Sequence, residues 1–149
     1  MRGQDRARTG LAVVAWLFVG CIFVQIFLAG LGVFDSASAF ETHRDFAYLF
    51  GWLTLVMLIL AVVGRVPRSL LGLTALALLL FALQSVFVAL RSDYPAVAAL
   101  HPVNGVALLL VAIVIARRAT ALRAVSAGPN PSPSPEPTAA RESDRVPTA

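Results

Sequence analysis

The stretch AVAALHPVNGVALLLVAIVIA, residues 96–116, decides how many times this chain crosses a membrane. Taken whole as a helix it rises about 32 Å, enough for a hydrocarbon core of about 30 Å. Begun at Pro102 it would leave only about 15 residues, or roughly 23 Å, too short to span comfortably. Pro95, just before the stretch, points to the longer reading. Proline is favoured in the first turn of a helix, so the span is expected to start at Pro95 and to be kinked from within at Pro102. Such a kink frees the carbonyl of Ala98 and presents His101 at a bend. The plainer use of Pro102 is that of a tolerated membrane-helix proline, whose freed groups are satisfied by its neighbours.

Three further apolar runs precede it, at residues 11–34, 46–64 and 69–90. Lipid offers the backbone no water, so each run must be helical. The expected architecture is all-α: a polytopic membrane protein with four transmembrane helices in an up-down antiparallel bundle. The chain then divides into an N-terminal segment, 1–10, a transmembrane domain, 11–118, and a Pro/Ser-rich tail, 119–149, whose composition predicts disorder. Composition agrees, with 58% hydrophobic and 13% charged residues against about half and a quarter in soluble domains. The basic pI of about 10.6 does not imply a nucleic-acid partner, because the arginines flank apolar runs and form no solvated patch. Cys21 has no partner for an internal disulfide and reads as a small apolar helix residue. No internal repeat, phosphate-binding glycine loop or nucleophile–base pair stands out, so binding or structure is expected here rather than catalysis. A transporter is disfavoured, since the spans carry no acidic residue and no pair of broken helices.

Arginine placement sets the expected orientation. Arg2, Arg6 and Arg8 precede the first run, Arg65 and Arg68 separate the second and third, and Arg117, Arg118 and Arg123 follow the fourth. Only Arg44 and Arg91 stand on the other side, beside Asp35, Glu41, Asp45 and Asp93. The positive-inside rule then puts both termini in the cytoplasm of a cell whose inner (plasma) membrane holds the bundle. Ala37-Ser38-Ala39 fits a signal-peptidase pattern, but the run before it is too long for a signal's apolar region of about 7–15 residues.

Within that topology the polar residues of the spans segregate. Gln25, His43, Gln84, His101 and Asn104 all fall toward the outer surface, while the cytoplasmic halves hold little beyond Thr54 and Thr74. Such residues are costly in lipid and face the bundle interior, where they pair or mark a site. Two readings follow. In one, they hydrogen-bond between helices at roughly 0.6 kcal/mol per contact. In the other, His43 and His101 are the axial ligands of one b-type haem in a pocket of the bundle. Ala47 and Gly105, one turn after each histidine, leave room for a flat group. Asn104 shares a face with His101 and is suited to bond a haem edge or a neighbouring helix. Arg44 sits where a propionate would emerge, and Gly30 and Gly32 allow close approach of the first helix. If the second span begins near Phe46, His43 lies roughly 8–10 Å shallower than His101. A capping box at Ser38-Ala39-Phe40-Glu41 would start that helix earlier and reduce the offset.

The segments VQIFLAGLG (24–32), FETHRDFAYLFGWL (40–53), LQSVF (83–87) and AALHPVNGVALLL (98–110) resemble a group of small bacterial membrane proteins, domain of unknown function 6220. That likeness spans about residues 11–118. More distantly, the pattern is similar to one four-helix half of haem A synthase. In that family the second helix opens with Glu-x-x-His-Arg and the fourth carries another histidine. The resemblance implies haem ligation by His43 and His101, with Arg44 at the motif's arginine. It departs at Glu41, which precedes His43 by two residues, in having one half, and in lacking an extracytoplasmic cysteine pair. It therefore implies fold and haem binding, and no oxidation of a haem methyl group. The partners expected are the lipid bilayer, haem with a redox partner, and a second copy in a homo-oligomer.

Overall fold

A computed structural model describes residues 2–127, so the tail expected at 119–149 lies outside the described residues from residue 128 onward. Five helices follow one another: α1 (Arg2–Phe34), α2 (Ala39–Val63), α3 (Arg68–Ala89), α4 (Pro95–Ala98) and α5 (Leu100–Ala127). Four segments are long and apolar enough to cross a membrane: Gly3–Phe34, Ala39–Val63, Arg68–Ala89 and Pro95–Ala124, the last joining α4 to α5. The described residues contain no strand. This is the all-α four-helix architecture that the apolar runs predict.

The helices form a ring in which α1 packs on α2 and α5, and α3 packs on α2 and α5. The diagonal pairs, α1 with α3 and α2 with α5, stay apart at the backbone. Diagonal helices run in the same direction, as an up-down topology requires. Three phenylalanines meet on the axis, with Phe18 and Phe50 centroids 5.4 Å apart, Phe50 and Phe81 5.6 Å, and Phe18 and Phe81 6.3 Å. Toward the arginine-rich end the fully buried Leu11, Met57, Leu70 and Ile115 complete the core. Trp16, Phe27, Leu49 and Trp52 face outward. Such exposure suits a lipid-facing surface, since lipid tails make no demand that apolar side chains be hidden.

The second helix begins at Ala39, well before residue 46, and brings His43 inside it. The capping-box arithmetic locates that start, but the bond behind it is not made. Ser38 forms no side-chain cap, and its hydroxyl pairs with the Ser36 hydroxyl at 2.8 Å. The Ser38 carbonyl instead accepts the Glu41 N–H at 3.0 Å, in a tight turn leading into the helix.

At the fourth span, Pro95 opens α4, and the helix breaks at Ala99 before resuming at Leu100. Pro102 has no N–H to offer the Ala98 carbonyl, so the interruption falls beside that carbonyl. At the other end α5 continues to Ala127, beyond residues 116–118 where the span was expected to stop. Alanine, leucine and arginine dominate residues 116–124 and are strong helix formers. Buried Ala119, and Thr120, whose hydroxyl accepts the Trp16 indole N–H at 3.2 Å, dock this extension on α1.

The turn between α2 and α3 is tight and costly. Val66 N–H bonds the Ala61 carbonyl at 3.2 Å and Arg65 N–H bonds that of Val62 at 3.1 Å, closing the end of α2 as a Schellman motif. The left-handed residue of the motif is Arg65, with φ of 46°, where glycine is usual. Arg8 secures the same turn through Nε, which donates to the Gly64 carbonyl at 2.9 Å. Two substitutions test this packing by thermal unfolding in detergent. Arg65→Gly relieves the left-handed strain and is expected to raise stability by about 1 kcal/mol. Gly51→Ala drives a methyl group into the Phe81 ring, and is expected to lower stability by about 1–3 kcal/mol through overpacking.

Candidate functional site

The polar residues of the spans gather at the end of the bundle formed by the C-termini of α1 and α3 and the N-termini of α2 and α5. Four of them make two matching pairs. In the first, the Gln25 side-chain Nε2 donates to the His43 carbonyl at 2.7 Å, and His43 Nδ1 meets the Gln25 carbonyl at 3.1 Å. In the second, His101 Nδ1 meets the Gln84 carbonyl at 3.2 Å. Hydrogen bonding orients the Gln84 amide so that its nitrogen donates to the His101 carbonyl at 2.9 Å and its oxygen accepts from Gly105 N–H at 3.2 Å. That nitrogen also lies 3.0 Å from Asn104 Nδ2 and 3.2 Å from His101 Nδ1. Each glutamine thus holds the backbone of a histidine, and each histidine ring holds the backbone of that glutamine.

The chemistry of the rings follows from these bonds. A backbone carbonyl only accepts, so the bond to it is made by a protonated Nδ1, which leaves Nε2 with its lone pair; at His101 the Gln84 amide nitrogen stands at the same 3.2 Å from Nδ1 as the carbonyl. Nε2 lies on the far side of the ring from Nδ1 and so points away from the carbonyl that holds it. The two rings approach each other across the bundle, with centroids 6.2 Å apart and planes at 59°. They come from α2 and α5, a diagonal pair whose backbones do not touch. The early start of α2 brings His43 inside the helix, and the offset expected from a span beginning at Phe46 does not keep the two rings apart. Phe40 edges onto His43 at 6.4 Å and also packs over Gly32, where an added Cβ would stand 2.7 Å from the ring. Gly32, not Gly30, is therefore the place where α1 and α2 come close.

Asn104 is buried, 9% exposed, and its Nδ2 donates to the Leu80 carbonyl at 2.8 Å. Of the uses its position suggested, the neighbouring-helix bond is the one made. Arg44 does not join the cluster: it is exposed and its Nε pairs with Asp45 Oδ1 at 3.0 Å. Cys21 is half-buried against the core. Thr54 and Thr74 bond back to the Gly51 and Leu71 carbonyls at 2.7 and 2.8 Å, and so serve their own helices. Gln25 Oε1 stands out among the described residues as a buried oxygen without a hydrogen-bond partner. Among the same residues no three His, Cys, Asp or Glu side chains gather into a metal-binding group.

These features define a membrane-spanning four-helix bundle with a histidine–glutamine cluster at one end. Residues 25–90 match the Family of unknown function (DUF6220). The match runs from Gln25 to the end of α3, narrower than the likeness read across residues 11–118, and His101 and Asn104 lie beyond it. The chain matches no curated protein and no solved structure.

Loss of the Asn104 bond gives a direct test of the cluster's contribution. Asn104→Ala is expected to destabilise the bundle by about 0.6–1.7 kcal/mol, the range for interhelical side-chain bonds in membranes. Denaturant-induced unfolding in mixed micelles measures it.

Proposed function

We propose that this is a small integral membrane protein holding one b-type haem between His43 and His101, for electron transfer or haem handling. The observation that carries the reading is the pair of rings 6.2 Å apart, each with Nδ1 bonded to a backbone carbonyl. Two imidazoles bound to opposite sides of one metal, at about 2.0–2.1 Å each, place their centroids about 6 Å apart. A second nitrogen fixed by a carbonyl is the usual support of a ligating histidine. The described residues bring no three metal-binding side chains together, so a metal held by these two imidazoles would need its remaining ligands from a macrocycle. Bound haem would supply one-electron redox chemistry. The chain's own part is to orient both imidazoles, through Gln25, Gln84 and the two carbonyls, and to shield them within the apolar bundle. Arg44, turned out to Asp45, lends this reading no support.

The arginine bias favours an orientation in the inner (plasma) membrane with both termini cytoplasmic and the cluster toward the outer surface. A redox partner would then approach from that side, and the exposed apolar faces leave a homo-oligomer open as the functional form. One observation favours a second, cofactor-free reading. The Gln84 amide fills the space over Gly105, 3.1 Å from where a Cβ would stand, and its bonds are satisfied within the protein. In that reading the cluster pins helix packing and nothing more.

Absorption spectra of the detergent-purified chain, oxidised and reduced, separate the two. The haem reading expects a low-spin spectrum once haem is supplied, lost in His43→Ala and in His101→Ala and kept in Cys21→Ala. No Soret band in the haem-supplied wild-type protein would end it. The cofactor-free reading expects both histidine variants to fold, lose modest stability and bind nothing.

A further inference from the structure

The two glutamine–histidine pairs share more than their chemistry. Their bonds join residues 18 apart in one case and 17 in the other, each across a helical hairpin: α1 with α2, and α3 with α5. If the first hairpin is shifted so that Gln25 falls on Gln84, buried Ala7, Leu11, Ala15 and Phe18 fall on Val66, Leu70, Thr74 and Ala77, all buried. With His43 placed on His101, buried Phe50, Thr54, Met57 and Ala61 fall on Leu108, Ala112, Ile115 and Ala119, again all buried. Ala47 falls on Gly105. A shared heptad-like phase would reproduce the burial alone. It would not reproduce a reciprocal side-chain-to-backbone bond pair at the same level of each hairpin.

We infer that the bundle is a tandem of one helical hairpin related by a pseudo-twofold axis along the membrane normal, and that Gln25 and Gln84 are equivalent positioning residues presenting one histidine each to a single ligand on that axis. Parallel repeats about such an axis are an established way of building membrane domains. The ligand class that matches this symmetry is a metal centre taking two equivalent imidazole nitrogens on opposite faces, so this part rests on the haem reading above. The two halves differ in one bond. Gln84 Oε1 accepts from Gly105 N–H, while Gln25 Oε1 is buried with no partner among the described residues. A buried acceptor left open is costly, which marks the Gln25 side as the place where a donor-bearing group is accommodated.

The test uses the full chain in detergent, with and without added haem, comparing Gln25→Leu, Gln84→Leu and the control Thr54→Val. Both glutamine variants are expected to convert part of the ferric haem from low-spin to high-spin, by amounts within about twofold of each other. Without haem, both should lower the thermal midpoint, again within about twofold. Thr54→Val removes a buried hydroxyl away from the histidines and should lower the midpoint without changing the spin state. If a leucine variant does not fold, Gln25→Asn and Gln84→Asn, which shorten the reach by one methylene, replace the pair. A change in one variant with none in the other overturns the equivalence. Equal losses of stability with an unchanged spin state overturn the positioning role. A wild-type chain that takes up no haem removes the haem reading and the positioning role, and the haem-free midpoints then decide the tandem by themselves: matched losses uphold it, and a loss confined to one variant overturns it.

Discussion

A polar side chain inside a bilayer has no water to fall back on, and the histidine–glutamine end of this bundle is organised around that constraint. Gln25, His43, Gln84 and Asn104 could have bonded one another in a loose network, yet each reaches a backbone carbonyl of a neighbouring helix. Backbone carbonyls cannot move without moving the helix. Bonding to them therefore locks the register of α1 against α2 and of α3 against α5, and sets the orientation of both imidazole rings. The phenylalanine cluster below fills the axis and keeps the diagonal helices apart. That spacing lets rings from α2 and α5 face each other without their backbones meeting.

Much of this was legible in the residues. Run length and apolarity predicted four spans, because hydrocarbon thickness and helical rise leave little freedom. The segregation of Gln25, His43, Gln84, His101 and Asn104 predicted one cluster, because polar groups at the same depth in a small bundle must face the same interior. Pro95 and Pro102 predicted the start of the fourth span and its interruption through the loss of one donor. The ends of helices were harder. Ser38 shows a capping signal whose bond is not formed, and α5 runs on through residues 119–127 because good helix formers and a docking contact from Trp16 outweigh the change in hydropathy.

The pairing within the cluster was not legible, and neither was the tandem relation. Asn104 and Gln84 are equally plausible partners for His101 on paper. Arg44 looks like part of the site because it adjoins His43, but successive residues on a helix point about 100° apart, and Arg44 faces outward. The hairpins share few identical residues beyond Gln25 with Gln84 and His43 with His101. Apolar side chains substitute for one another freely when they face lipid, so burial outlasts identity. The signal that remains is the spacing of a glutamine near the end of one helix and a histidine near the start of the next, and it becomes visible once the two bond pairs are seen side by side.

The account turns on each imidazole carrying its proton on Nδ1 and leaving Nε2 free for a ligand. The chain has only two histidines, so ¹⁵N-histidine labelling and solid-state NMR of the protein in lipid bilayers observe both rings without ambiguity. At pH 8 the account predicts a protonated Nδ1 and a proton-free Nε2 on both His43 and His101, with each Nδ1 proton close to a glutamine carbonyl. A proton on Nε2 of either ring would contradict it.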